Sequence, residues 1–172
     1  DAAILGTAAT LYANYGLSRV YYSAFSPIHD ASRTLPLVRP PLMREHRLYQ
    51  ADWLLRFYGF EVDEIAGKGM LDLDLDPKLA WAIAHREAFP VDVNRAPREA
   101  LLRVPGFGTR TVARILEARA HGLVRYEHLA PMGAVMKQAR PFITAPGWRA
   151  PGLDDADLRA RFAPPPAQLS LF

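Results

Sequence analysis

The chain has 172 residues, half of them apolar, and a formal net charge of +3 at pH 7. This length fits one domain, or a small domain with appended segments, and the apolar fraction is sufficient for a hydrophobic core. The absence of cysteine excludes disulfides, thiolate metal sites and an iron–sulfur cluster from this chain, and no apolar run is long enough to cross a membrane. No secretory signal opens the sequence, so we expect a cytoplasmic protein.

The charged residues are unevenly distributed along the chain. Residues 61–92 carry eight acidic against three basic side chains, whereas residues 95–149 carry ten basic against three acidic ones. A concentration of positive charge is the electrostatic footprint of a protein that binds a phosphate backbone. A basic segment alone is often only a solvated surface, so this signal depends on a motif within it.

The N-terminal residues predict one helix and one strand. Residues 2–15 are rich in alanine and have apolar side chains at helical spacing, with Gly16 as a suitable C-cap. Residues 19–25 are aromatic and β-branched, which predicts a strand that ends near Pro27. A single strand cannot form a sheet, so it must be covered, pair with another copy, or belong to a larger α/β unit outside this chain.

Two more helices are predicted before the basic region, over residues 43–58 and 77–87. Just before the second helix, Asp72, Asp74 and Asp76 alternate with leucines. A calcium loop of the EF-hand type would need a glycine and a twelfth-position glutamate that are missing here. We therefore favour Asp76 as a helix N-cap over a metal site.

The most informative stretch spans residues 101–116, where two apolar helical segments flank the connector 105–108. Pro105 should end the first helix, and the glycines of the connector permit a tight turn. Phe107 should fill the space between the two helices. This pattern, apolar-Pro-Gly-apolar-Gly with the basic Arg110 after it, resembles the helix-hairpin-helix DNA-binding motif.

The resemblance implies that backbone N–H groups of Gly106, Gly108 and Arg110 bind a DNA phosphate at the start of the second helix. The first N–H groups of a helix lack an internal partner, and the helix dipole adds partial positive charge there. Val112 departs from the motif, because the family prefers alanine at that position. The alternative interpretation of this stretch is an ordinary helix turn with a glycine cap. The expected DNA-binding residues are Val104, Pro105, Gly106, Phe107, Gly108, Thr109, Arg110, Thr111, Arg114, Lys137 and Arg140.

Residues 126–135 are predicted to form a degenerate second hairpin. The Val-Asn-Arg-Ala sequence at residues 93–96 resembles the lead-in of tandem helix-hairpin-helix domains, in which a second hairpin follows the first. Residues 126–135 keep the apolar spacing and one glycine but lack the full motif. We expect them to pack against the first hairpin rather than bind a second phosphate equally well, while Lys137 and Arg140 remain able to reach DNA.

Residues 150–172 are predicted to form a proline-rich tail. Its last five residues resemble the peptide by which many bacterial repair and replication proteins bind the sliding clamp of DNA polymerase. In that peptide glutamine forms a hydrogen bond, and leucine and phenylalanine fill an apolar pocket. The alternative is a frayed tail with incidental apolar residues. The expected partner-binding residues are Gln168, Leu169, Ser170, Leu171 and Phe172.

Residues 19–143 as a whole resemble the C-terminal part of radical SAM proteins assigned to DNA modification or repair, a family often encoded beside a uracil-DNA-glycosylase-like protein. The resembling stretches are residues 20–28, 44–60, 76–82 and the hairpin. The resemblance implies a mainly α fold in which a helix-strand remnant of an α/β barrel precedes a tandem helix-hairpin-helix domain. The expected divisions are 1–29 for the remnant, 30–67 for a loop and linking helix, 68–149 for the helix-hairpin-helix domain and 150–172 for the tail.

No catalytic set is recognisable in the sequence. Its histidines show no ligand spacing, its serines lack a nucleophile motif, and no aspartate that could serve a helix-hairpin-helix glycosylase occurs between Glu127 and Gly152. The iron–sulfur cluster and S-adenosylmethionine of the family would belong to a barrel outside this chain, so we expect no cofactor here.

We therefore expect a non-enzymatic, sequence-independent DNA-binding part of a repair or modification protein. Its expected partners are DNA, the sliding clamp and the uracil-DNA-glycosylase-like protein, with no membrane among them. Two alternatives remain: a protein–protein interaction module, or a fragment of a radical SAM enzyme that is active only with its missing barrel.

Overall fold

A computed structural model describes residues 1–27, 38–67, 69–151, 153 and 157–164. This part of the chain is mainly helical and contains a small three-stranded sheet, which confirms the mainly α class. The chain divides into two compact units, residues 1–77 and 78–172. None of the described helices is long and apolar enough to cross a membrane.

The first unit is built around three packed helical segments, α1 (Ala2–Tyr15), α2 (Leu42–Phe57) and α3 (Val62–Ala66). Helix α1 contacts both others. It ends, as predicted, at Gly16, whose left-handed backbone (φ 63°) is the usual helix C-cap geometry. The core of this unit consists of Leu5, Tyr22, Leu48, Ala51, Ala66 and Leu71.

The strand predicted at residues 19–25 is absent, and the prediction was wrong. These residues are assigned no strand, and no other strand of the first unit's described residues lies beside them. Side chains of α1 and α2 satisfy their alternate N–H groups, which must be paired when shielded from water. Val20 bonds to the Tyr12 hydroxyl, Tyr22 to the Tyr49 hydroxyl and Ala24 to the Glu45 carboxylate, each at 3.0 Å.

A buried carboxylate lies under this extended segment. Asp52 on α2 is 1% exposed and accepts hydrogen bonds from the hydroxyls of Tyr12 (2.5 Å) and Tyr22 (3.1 Å). Its second oxygen pairs with the Arg56 guanidinium at 2.9 Å. A buried charge of this kind is tolerated only when its oxygens are fully engaged, as they are here.

Helix α4 (Pro77–Ala84) lies at the start of the second unit, and all of it except Pro77 belongs to that unit. The helix predicted at residues 77–87 ends three residues early, and a 3₁₀ turn (Arg86–Ala88) follows it. The elements that follow in the described residues of this unit are β1 (Val91–Asp92), α5 (Arg98–Arg103), α6 (Thr109–His121), α7 (Tyr126–Leu129), α8 (Met136–Ala139), a second 3₁₀ turn (Arg140–Phe142), β2 (Ile143–Ala145) and β3 (Trp148–Arg149).

The sheet of this unit is small and joins residues 91–92 to residues 143–149. Strand β1 pairs parallel with β2, with Val91 opposite Ile143, and β2 pairs antiparallel with β3, with Thr144 opposite Arg149. Helices α5 and α6 contact each other beside it. The apolar spacing predicted for residues 101–116 is confirmed in part, because Ala113 is exposed and Leu116 is only partly buried. The other apolar positions of the two helices are buried, namely Leu101, Leu102, Val104, Val112 and Ile115.

Candidate nucleic-acid interface

The α5–α6 turn (residues 104–108) is closed by local contacts. The Phe107 N–H donates to the Val104 carbonyl at 3.2 Å, which brings the chain back towards α5. The Phe107 side chain is 1% exposed and fills the space between the two helices, as predicted. Val104 and Pro105 are also buried. These three predicted DNA-binding residues therefore shape the turn from within and do not reach its surface.

Gly106 contacts the backbone at Val135, just before α8. Its φ is +79°, a left-handed conformation that favours glycine, and a Cβ there would lie 2.5 Å from the Val135 carbonyl oxygen. The Gly106 carbonyl also accepts a hydrogen bond from the Val135 N–H at 2.9 Å. The fold itself therefore requires glycine at position 106.

The beginning of α6 presents unengaged backbone donors. Gly108 is its N-cap, with extended backbone (φ −86°), and its carbonyl accepts the first helical hydrogen bond, from Val112 at 2.9 Å. Among the described residues, the N–H groups of Gly108, Thr109 and Arg110 donate to no other part of the chain. Because the helix dipole adds to their partial charge, this end of the 13-residue helix is suited to an anion.

A buried lysine holds the other side of the turn. The Lys78 ammonium of α4 donates to the Phe107 carbonyl oxygen at 2.6 Å, and the residue is only 7% exposed. Sequence analysis missed this contact. The two residues are 29 positions apart, and a lysine in a predicted helix gives no sign of the carbonyl that it will meet.

Four basic residues predicted to contact DNA lie in this unit, and they differ in the contacts that their side chains make. Arg110 and Lys137 are exposed, on the first turns of α6 and α8. Arg114 donates to the Met132 carbonyl at 3.1 Å, so it links α6 to the segment between α7 and α8. Arg140 stacks on Trp148, with its guanidinium carbon 3.9 Å from the ring centroid. Within the described ranges, none of the four forms an ion pair with a carboxylate.

Residues 126–135 pack against the α5–α6 turn and α6, as predicted. Gly133 has a φ of +93°, and a Cβ there would lie 3.3 Å from the Thr111 hydroxyl of α6. The buried Thr111 therefore faces the second turn. The N–H groups of this turn are engaged within the fold: Gly133 donates to Ala130 at 2.9 Å, Ala134 to Leu129 at 3.0 Å and Val135 to Gly106 at 2.9 Å.

The residues expected to bind the sliding clamp, Gln168, Leu169, Ser170, Leu171 and Phe172, lie outside the described residues. Comparison with family models, with curated proteins and with solved structures finds no significant match to this chain. The case for a function therefore depends on the geometry of the α5–α6 turn and of the basic side chains around it.

Proposed function

We propose that the second unit is a sequence-independent DNA-binding module that holds a backbone phosphate at the N-terminus of α6. The observation that carries the proposal is the group of unengaged N–H donors at Gly108, Thr109 and Arg110. The exposed Arg110 side chain, which pairs with no carboxylate in the described part of the chain, supplies positive charge at the same place. Backbone donors and the helix dipole together favour phosphate without regard to base sequence.

In this proposal α5 and α6 form a helix-hairpin-helix, and residues 126–139 form its degenerate second copy. The asymmetry of the backbone donors supports this assignment. The donors at the start of α6 face no partner among the described residues, whereas those at 133–135 are used inside the fold. One copy is then the binding turn, and the other supports it.

The wider proposal follows the family resemblance. The module serves a DNA repair or modification protein, α1 and the extended segment after it correspond to the last elements of a radical SAM barrel, and the tail binds the sliding clamp. The uracil-DNA-glycosylase-like protein is its further proposed partner. The resemblance of the quoted sequence stretches is the support for this larger assignment.

Fluorescence anisotropy with a short duplex, measured over a salt series, tests the core proposal. Gly108→Glu places a carboxylate where the phosphate would bind, so we expect a loss of affinity of about tenfold or more, with the fold intact by circular dichroism. Gly122→Glu is the matched control. It makes the same charge change at the far end of α6, where a Cβ has nothing within 4 Å and the backbone is extended.

We expect the control to bind within about threefold of wild type, because a charge at the other end of the helix does not touch the bound phosphate. Equal losses in the two variants would show that only net charge matters and would contradict a site at α6. If wild type shows no salt-dependent binding even at low salt, the turn is structural and the protein–protein interaction alternative takes its place.

A further inference from the structure

We infer that Lys78 is a positioning residue of the phosphate site, and that it acts by fixing the direction of the Gly108 N–H. The inference rests on the proposed function, which it deepens by adding a residue from a different helix. Three observations carry it: the short distance from the Lys78 ammonium to the Phe107 carbonyl, the burial of Lys78, and the planarity of the peptide unit that joins Phe107 to Gly108.

The contact is a charged one in a shielded place. The Lys78 Nζ lies 2.6 Å from the Phe107 oxygen, and the residue is 7% exposed. Burying an ammonium group is costly unless it donates hydrogen bonds, and bonds with a charged donor are shorter and stronger than neutral ones. The Phe107 carbonyl is therefore held towards α4 by a bond that water does not readily replace.

The planarity of the peptide unit transmits this constraint to the binding side of the turn. The Phe107 carbonyl and the Gly108 N–H belong to one rigid unit, which is trans, so they point in opposite directions. Holding the carbonyl towards α4 turns the Gly108 N–H away from it, where no described residue accepts it. Glycine at 108 would otherwise allow this unit to rotate at little cost.

The ammonium has a second effect on the same donor. A cation on the carbonyl oxygen polarises the peptide group, and polarised groups donate stronger hydrogen bonds. Lys78 thus both aims the Gly108 N–H and strengthens it, without itself touching the phosphate. The simpler alternative is that Lys78 only stabilises the turn, in which case its removal would lower stability and leave the affinity of the folded protein unchanged.

The test compares Lys78→Met with Arg119→Met. Arg119 on α6 makes a similar bond to the Ala96 carbonyl, also at 2.6 Å, but away from the turn. Each variant loses one positive charge and, with it, the 2.6 Å hydrogen bond to a carbonyl. We expect DNA affinity to fall about tenfold in Lys78→Met, as for the loss of one aligned phosphate contact. In Arg119→Met we expect a fall of no more than about threefold.

The Gly108 amide signal in a ¹H–¹⁵N spectrum gives a readout that a merely structural role would not move. We expect it to shift when inorganic phosphate is added to wild type and to Lys78→Arg, which keeps a charged donor, and to stay still in folded Lys78→Met. If Lys78→Met fails to fold, Lys78→Gln, which keeps a neutral donor, is used in its place. The expected result for that variant is again weakened binding.

The outcomes separate the two proposals. If wild type does not bind DNA, the proposed function fails first. If wild type binds, but folded Lys78→Met or Lys78→Gln binds as tightly as Arg119→Met and keeps the phosphate-dependent shift of Gly108, the positioning role is overturned while DNA binding stands.

Discussion

At Gly106 the backbone has a φ of +79°, and a Cβ would lie 2.5 Å from the Val135 carbonyl oxygen. The two constraints are independent, since the first concerns the residue's own conformation and the second concerns its neighbour. The neighbouring atoms belong to the backbone, since the same Cβ would also lie 3.2 Å from the Ala139 amide nitrogen. Relief of these close contacts would therefore require α8 to move. The close packing of the α5–α6 turn on the backbone at Val135 and α8 therefore requires glycine at this position.

Gly106→Ala is expected to lower the free energy of unfolding by about 2 kcal/mol or more, because it adds both the left-handed strain and the clash with Val135. Urea denaturation followed by circular dichroism measures the loss. Gly122→Ala is the control, since its extended backbone accepts any residue and its Cβ would meet nothing within 4 Å. We expect a change within about 0.5 kcal/mol there. An equal loss of stability in both variants would argue against the close contact between Gly106 and Val135.

The extended segment at residues 19–25 shows how an element can be held without a sheet. Its alternate N–H groups bond to Tyr12, Tyr49 and Glu45, and the Tyr22 hydroxyl reaches the buried Asp52 carboxylate. Burial and then the negative charge of Asp52 raise the pKa of Tyr22 above its ordinary value. Burial and the hydrogen bond to Asp52 also raise the pKa of Tyr12.

This segment should make the first unit sensitive to alkali. The folded pKa of Tyr22 is raised, so as the pH rises through about 10 the unfolded chain loses its phenol proton while the folded chain retains it. The stability contributed by the neutral phenol is therefore fully present below that pH and falls above it. Urea midpoints at about pH 9 and about pH 11 should differ more in wild type than in Tyr22→Phe. Equal pH dependence in the two proteins would contradict a protected phenol.

The same segment marks the limit of what the sequence predicts about elements. Helices α1, α2, α5 and α6 were predictable because apolar side chains recur at helical spacing and because glycine and proline mark their ends. An alternating aromatic segment, however, has the same pattern whether its N–H groups meet a strand or side chains. The choice depends on hydroxyls and carboxylates of distant helices, which local spacing does not reveal.

At the scale of the whole molecule, positive charge is concentrated in residues 95–149, and the chain's overall pI of about 9.4 reflects only part of this asymmetry. The location of the candidate site was predictable, since the turn motif and the basic residues lie together in sequence. The contacts that each basic side chain makes were not predictable. Arg114 is engaged with Met132, Arg140 stacks on Trp148, and Lys78 comes from a helix that precedes the motif.

These differences in contacts predict how binding responds to salt. Each neutralised phosphate contributes about −0.9 to the slope of log K against log salt concentration, so Arg110→Ala should make the slope shallower by about one unit. Arg19→Ala is the control, because that exposed residue of the first unit stacks on Tyr21 outside the proposed site. The slope for the control should match that of wild type. An equal change in both would mean that binding follows total charge rather than a defined contact.

If the module binds DNA as proposed, the bond from the Val135 N–H to the Gly106 carbonyl would limit how it holds a long duplex. A pair of equivalent turns would grip a duplex at two points and fix its direction. Here the Val135 N–H bonds to the α5–α6 turn, and the Gly133 and Ala134 N–H groups bond within their own segment, so only the start of α6 would anchor a phosphate. In the proposed complex such an anchor would set where the DNA is held but would let it pivot, so other proteins of the proposed repair assembly could change its direction.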